Sequence, residues 1–120
     1  MQRRFRLTRA TDFQRVRRSG KSYAHPLVVL VVGRSEHPLP RVGLVVGRSL
    51  GNAVQRNRAK RRLRAAMLPF LPVLAPGHDF ILIGRAGLLT ASFPEIQQAL
   101  QTLLRRAHLL PPEENDLAAD

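Results

Sequence analysis

Apolar residues recur along this chain in two rhythms, and the switches between them outline the fold. Leu27-Val28-Val29-Leu30-Val31-Val32-Gly33 is a continuous β-branched run, which predicts a strand covered on both faces or nearly so. Lys21 to Ala24 predicts a short pairing piece ahead of it. Arg34-Ser35-Glu36-His37-Pro38-Leu39-Pro40 is turn chemistry, because two prolines exclude regular pairing. Arg41 to Gly47 is the next strand, expected to close an antiparallel hairpin with the first through that long loop. Asp79 to Arg85 is the third clear strand.

The helical rhythm appears three times. Phe13 and Val16 form the apolar side of a short helix from about Arg9 to Arg18, with Thr8 or Thr11 available as cap and Ser19-Gly20 as stop. Ala59, Leu63, Ala66, Met67 and Phe70 make one stripe of a second helix, opened by Gly51-Asn52 and running to about Leu68. Pro69 to Gly77 holds three prolines and must be a connection, its Phe and Leu side chains capping the core. Ser92 and Glu95 stand in capping-box spacing ahead of Ile96, Leu100, Leu103, Leu104 and Ala107, the buried stripe of the last helix. The order helix, hairpin, helix, strand, helix predicts an α+β fold, a two-layer sandwich of sheet and helices. Residues 1–112 make one domain, and residues 113–120 an acidic tail expected to be disordered.

Charge changes the picture of the second helix. Arg56-Asn57-Arg58-Ala59-Lys60-Arg61-Arg62-Leu63-Arg64 holds six cations in nine residues. Asn57, Arg61 and Arg64 share one direction, and Arg58, Arg61 and Arg62 form a triplet at i, i+3 and i+4, where like charges repel. Arg56 points along the apolar stripe and is expected to overhang the core edge. A solvated face of mixed charge would be the bland explanation, but residues 37–78 contain no acid. The whole chain carries +12, and residues 1–112 set twenty cations against four acids, a net +16. Such a field speeds encounter with phosphate backbones and makes binding salt-dependent. Eighteen of the twenty cations are Arg, which pairs bidentately with phosphate and stacks on bases.

The same residues exclude other classes. The chain has no Cys, so there is neither a disulfide framework nor a thiolate metal site. His25, His37, His78 and His108 are scattered without ligand spacing, and no paired carboxylates are set for acid–base work. Asp12, Asp79 and Glu95 read as isolated acids with local roles. Gly43 and Gly47 are accompanied by no Gly-Lys-Ser/Thr, so a nucleotide P-loop is excluded, although Gly51-Asn52 at the helix start could still present backbone amides to a phosphate. The basic start leads into no apolar signal segment, and no membrane partner is expected, which points to the cytoplasm. Phe5, Phe13 and Tyr23 lie among Arg3, Arg4, Arg6, Arg9, Arg15, Arg17, Arg18 and Lys21, offering stacking surfaces beside phosphate contacts.

Val42-Gly43-Leu44-Val45-Val46-Gly47-Arg48-Ser49-Leu50-Gly51-Asn52-Ala53-Val54-Gln55 leading into the Arg56-Asn57-Arg58 helix resembles the signature of the bacterial ribonuclease P protein subunit. The resemblance extends to Leu7 with Asp12-Phe13, to Asp79–Arg85 and to Ile96–Leu104. It implies a holoenzyme in which a catalytic RNA removes the 5′ leader of precursor tRNA by Mg²⁺-dependent hydrolysis, with the metal held mainly by the RNA. It implies one protein per RNA, a fold like the second domain of a small-subunit ribosomal protein, and a left-handed strand–helix–strand crossover against the usual rule. Carried over by position, Arg48, Arg56, Asn57, Arg58, Lys60, Arg61 and Arg64 would bind RNA, and Phe13 with Arg17 would meet the leader. Arg17 stands where many members have a second aromatic, and Gly47 and Ser49 replace a more usual Ser and Lys. The alternative reading is a structural, ribosomal-type RNA-binding protein with no part in cleavage.

Overall fold

The most apolar run of the chain becomes the centre of a four-stranded sheet. In the computed structural model, which describes residues 2–111, the acidic tail lies outside the described residues. A 3₁₀ turn at Arg3–Phe5 precedes α1 (Ala10–Ser19), followed by β1 (Lys21–Ala24), β2 (Val28–Arg34) and β3 (Arg41–Val46). α2 (Ala53–Met67) comes next, then a 3₁₀ segment (Leu68–Val73), β4 (His78–Gly84), a 3₁₀ turn (Ala86–Leu89) and α3 (Phe93–Arg106).

The sheet order is β1-β2-β4-β3. β1 and β2 form the hairpin, with Ser22 opposite Val31. β4 runs antiparallel to β2 and parallel to β3, with Ile81 opposite both Val31 and Gly43. The expected hairpin between β2 and β3 is therefore absent: they run in opposite directions, but β4 lies between them. The Pro-containing connection is long enough to step over one strand spacing, about 5 Å on each side. β4, with Phe80, Ile81 and Leu82 wholly buried, gains most from the central place. β3, half exposed over Leu44–Val46, fits the edge.

Side-chain alternation divides the sheet into two faces. Val28, Leu30, Val42, Phe80 and Leu82 pack with Leu63, Met67, Ile96, Leu100 and Leu103 of α2 and α3 in the main core. α1 is not in that helical layer. It lies on the reverse face, where Val16 and Phe13 join Leu7, Val31 and Ile81 in a second, smaller cluster. Two glycines admit it: a Cβ on Gly43 would stand 2.4 Å from Phe13 Cζ, and one on Gly33 3.2 Å from Val16 Cγ2. The far half of that face, the row Val29, Ile83 and Val45, is only half-buried.

Local signals mostly hold. Asn52 caps α2 and Gln55 completes a capping box; Ser92 and Glu95 do the same for α3. α1 has neither threonine as cap, because Arg9 occupies the N-cap without a side-chain bond and Thr11 falls inside the first turn. Ala107, assigned to the α3 stripe, is instead the half-exposed C-cap.

Candidate nucleic-acid interface

α2 is the organising element of the charged surface. Ala59, Leu63, Ala66 and Met67 are buried against the sheet and α3, which fixes the rotation of the helix. The polar positions then divide by angle. Asn57 and Arg61 stand on the exposed crest. Lys60 and Arg64 turn to one flank, and Arg58 and Arg62 to the other. Arg56 overhangs the core edge as its direction implied, half-exposed, with its Nε buried and unpaired. Among the described residues no α2 cation forms an ion pair with a carboxylate.

The first flank faces a groove of about 250 Å³ lined by Arg6, Leu7, Thr8, Phe13, Val42, Leu44, Lys60 and Arg64. It wraps the β3 edge, where the amino-terminal segment is pinned by the Leu7 amide donating to Val42 O at 3.0 Å. The edge thereby brings an aromatic from the reverse face beside two cations from the helical face. Burial, and then the charge of Arg6, hold Arg64 below the ordinary guanidinium range. Arg64 remains a cation, but one whose charge is opposed by its surroundings and relieved by an anion.

Phe13 is both core anchor and groove wall, half-buried over Gly43. Arg17 does not line that groove. It lies one turn on, exposed, on the flank of α1 away from Asp12 and Arg15, and so beside the uncovered half of the reverse face. Arg85, in extended backbone just after β4, continues the alternation of that face past Ile83, and its guanidinium donates to His25 O at 3.3 Å. Arg48 is exposed in the 3₁₀ turn after β3.

Three features were not read from the sequence. Arg62, grouped there with the ridge, is a clamp: its guanidinium donates to Leu88 O at 3.1 Å and to Ala91 O, tying α2 to the segment ahead of α3. Asp79 is fully buried and accepts from Arg41 Nε at 3.0 Å, Arg41 Nη2 at 2.9 Å and Arg15 Nη2 at 2.6 Å. Asp12 joins through Arg15 at 3.3 Å and Arg41 at 3.6 Å, so four charges from α1, β3 and β4 lock the first helix to the sheet. Burial alone would raise Asp79, but the hydrogen bonds of Arg41 and Arg15 outweigh it and hold the carboxyl below its ordinary value. The available signal was an acid at the start of a strand buried on both faces, which must find a cation. Arg85 was read only as the end of its strand.

Among the described residues no three His, Asp or Glu side chains converge as a metal site, and no helix is long and apolar enough to cross a membrane. His25 is occupied locally, its Nδ1 accepting from the Leu27 amide at 3.1 Å in the β1–β2 turn.

The family model described as Ribonuclease P matches residues 1–108. The ribonuclease P protein component of Herpetosiphon aurantiacus is 47% identical over 109 residues, covering 91% of this chain and 89% of that protein. That of Symbiobacterium thermophilum is 40% identical over 114 residues, covering 94% and 99%. The RNase P protein of Staphylococcus aureus has a TM-score of 0.80 to this fold at 30% identity, covering 89% of this chain and 98% of that one. The corresponding figures for the Thermotoga maritima protein are 0.75, 30%, 84% and 96%.

Proposed function

The chain belongs to the ribonuclease P protein family, and on that premise we propose that it acts in the cytoplasm as the protein subunit of a ribonucleoprotein that matures tRNA 5′ ends, one protein per catalytic RNA. The observation that carries this reading is the run of α2 cations without carboxylate partners, flanking a groove that holds Phe13. Such a surface fits a phosphate backbone with single-stranded bases beside it.

The geometry supports a division of labour. Arg48, Arg56, Asn57, Arg58, Lys60, Arg61 and Arg64 supply backbone contacts to RNA from α2 and the turn before it. The leader of precursor tRNA lies along the open half of the reverse face, over Val29, Ile83 and Val45, between Arg17 and Arg85. It then passes Phe13 at the β3 edge and reaches Lys60 and Arg64. Mg²⁺ held by the RNA would supply the hydrolytic chemistry; among the described residues no carboxylates converge for that task, and the protein's residues bind and orient the substrate strand.

Reconstitution with the catalytic RNA of the same genome and a precursor tRNA tests this. At low Mg²⁺ the protein should raise leader removal well above the RNA alone, and precursor should bind tighter than mature tRNA. A protein that binds RNA tightly yet leaves cleavage unchanged would be the structural, ribosomal-type alternative.

A further inference from the structure

The second flank of α2 also faces a groove. Arg58, Arg61, Arg62 and Ala65 recur at i, i+3, i+4 and i+7, and with Phe93 they line a depression of about 380 Å³. A smaller one, about 90 Å³, continues along Gln55, Arg58, Arg62, Leu88 and Leu89. Phe93 is the first residue of α3 and remains 37% exposed, whereas Ile96, Ala99 and Leu100 after it are wholly buried. Ala65 on the facing helix carries only a methyl and is itself exposed.

A single exposed aromatic is ordinary. Here the ring has a fixed relation to cations, because Arg62 ties α2 to the carbonyls of Leu88 and Ala91, just ahead of α3. Arg58 and Arg61 are exposed, and neither has a carboxylate partner among the described residues. The acid of this segment, Glu95, is turned back on Ser92, accepting its amide at 2.9 Å. Phosphate is therefore favoured on the α2 side of the ring and disfavoured on the α3 side.

We infer that this flank is a binding site for an unpaired nucleotide of the catalytic RNA, with its base stacked on Phe93 and its phosphate on Arg58 and Arg61. A paired helix would present phosphates but no base face, leaving the ring unused. The inference rests on the reading of the chain as an RNA-partnered subunit, but is independent of the leader groove: α2 then separates substrate strand on the Phe13 side from catalytic RNA on the Phe93 side.

The test compares wild type, Phe93→Leu, Phe93→Tyr and Arg58→Gln for affinity to the transcribed catalytic RNA across salt, without tRNA. Phe93→Leu should bind about tenfold more weakly with an unchanged salt slope, and Phe93→Tyr within about twofold of wild type. Arg58→Gln should flatten the slope by about one unit. Ultraviolet cross-linking of the complex should place RNA on Phe93, within the tryptic peptide 86–105. Wild-type affinity for Phe93→Leu together with no cross-link at Phe93 overturns the site. So does equal weakening of the Leu and Tyr variants accompanied by lowered melting temperatures, which makes the ring purely structural. If wild type itself neither binds the RNA nor stimulates cleavage, the proposed function fails; if it does both and Phe93→Leu equals it, only this site fails.

Discussion

Removing the Asp79 carboxylate should cost more stability than any single cation on the surface. Asp79→Ala leaves Arg41, 18% exposed at its side chain, and Arg15, 39% exposed, facing each other with Asp12 as their remaining ion-pair partner among the described residues. Breaking a buried ion pair from one side typically costs about 3–5 kcal/mol. The lower end applies here, because Arg15 can turn to water while Arg41 cannot do so without moving β3. About 3 kcal/mol corresponds to a melting temperature lower by roughly 9–15 °C in a domain of this size.

Urea melts followed by circular dichroism measure this, and pH supplies a second arm. The carboxyl is held below its ordinary value in the fold. It therefore stabilises fully above its unfolded value, about pH 4, and that contribution fades as pH falls below it. The gap between wild type and Asp79→Asn should be constant from neutral pH down to about pH 5 and narrow toward pH 3. Because the cluster holds α1, the Asn variant should also lose preference for precursor over mature tRNA while its salt slope on catalytic RNA is unchanged. A cost under about 1 kcal/mol for Asp79→Ala would refute the reasoning, since that is the scale of a solvated surface pair.

Changing Arg58, Arg61 and Arg64 together to Gln should flatten the dependence of log K on log salt; about six phosphate contacts give a slope of roughly −4 to −5, and the variant should lose about half of it. Leu63→Ala, wholly buried under α2, should cost about 2–5 kcal/mol in a chemical melt. Phe13→Leu and Arg17→Gln should bind catalytic RNA normally and each lose part of the leader preference, Arg17→Gln more so at low salt; retention by both would move the leader further along the reverse face.

The parts of the fold governed by local chemistry were legible in the chain. The capping residues Asn52 and Ser92, the α2 stripe from Ala59 to Met67 and the short pairing piece of β1 all follow from nearest-neighbour rules, and the structure places them as read. Phe70, read as the end of that stripe, falls instead in the 3₁₀ segment after α2. The insertion of β4 between β2 and β3 was not legible, because pairing partners depend on which strand gains most from burial on two faces, a comparison across forty residues of chain. The position of α1 on the reverse face depends likewise on Gly33 and Gly43 leaving room for Val16 and Phe13, which no periodicity within α1 announces. Of the site, the cations of α2 were visible as a run, but their division between two grooves required knowing what packs on each flank. Arg62 shows the limit: its place in the triplet at i, i+3 and i+4 says surface, and only the carbonyls of Leu88 and Ala91 make it a clamp.

The charge of α2 should be visible in the stability of the free protein. The helix holds like charges one turn apart, residues 37–78 have no acid to separate them, and burial and Arg6 together oppose the charge on Arg64. Its fold is maintained by the buried stripe of Ala59, Leu63, Ala66 and Met67 and by the Asn52–Gln55 capping box, both insensitive to salt. Repulsion between exposed cations is screened over about 10 Å at 0.1 M ionic strength and about 3 Å at 1 M. Raising sodium chloride across that range should therefore increase the melting temperature of the free protein. The Arg58, Arg61 and Arg64 triple Gln variant should start higher at low salt and respond less. The Asp79 cluster works in the opposite sense, since salt weakens attraction, but it is common to both proteins and cancels in their difference. Equal salt responses in the two proteins would mean that the α2 cations are already neutralised within the chain, and the reason for assigning them an anionic partner would fall with that result.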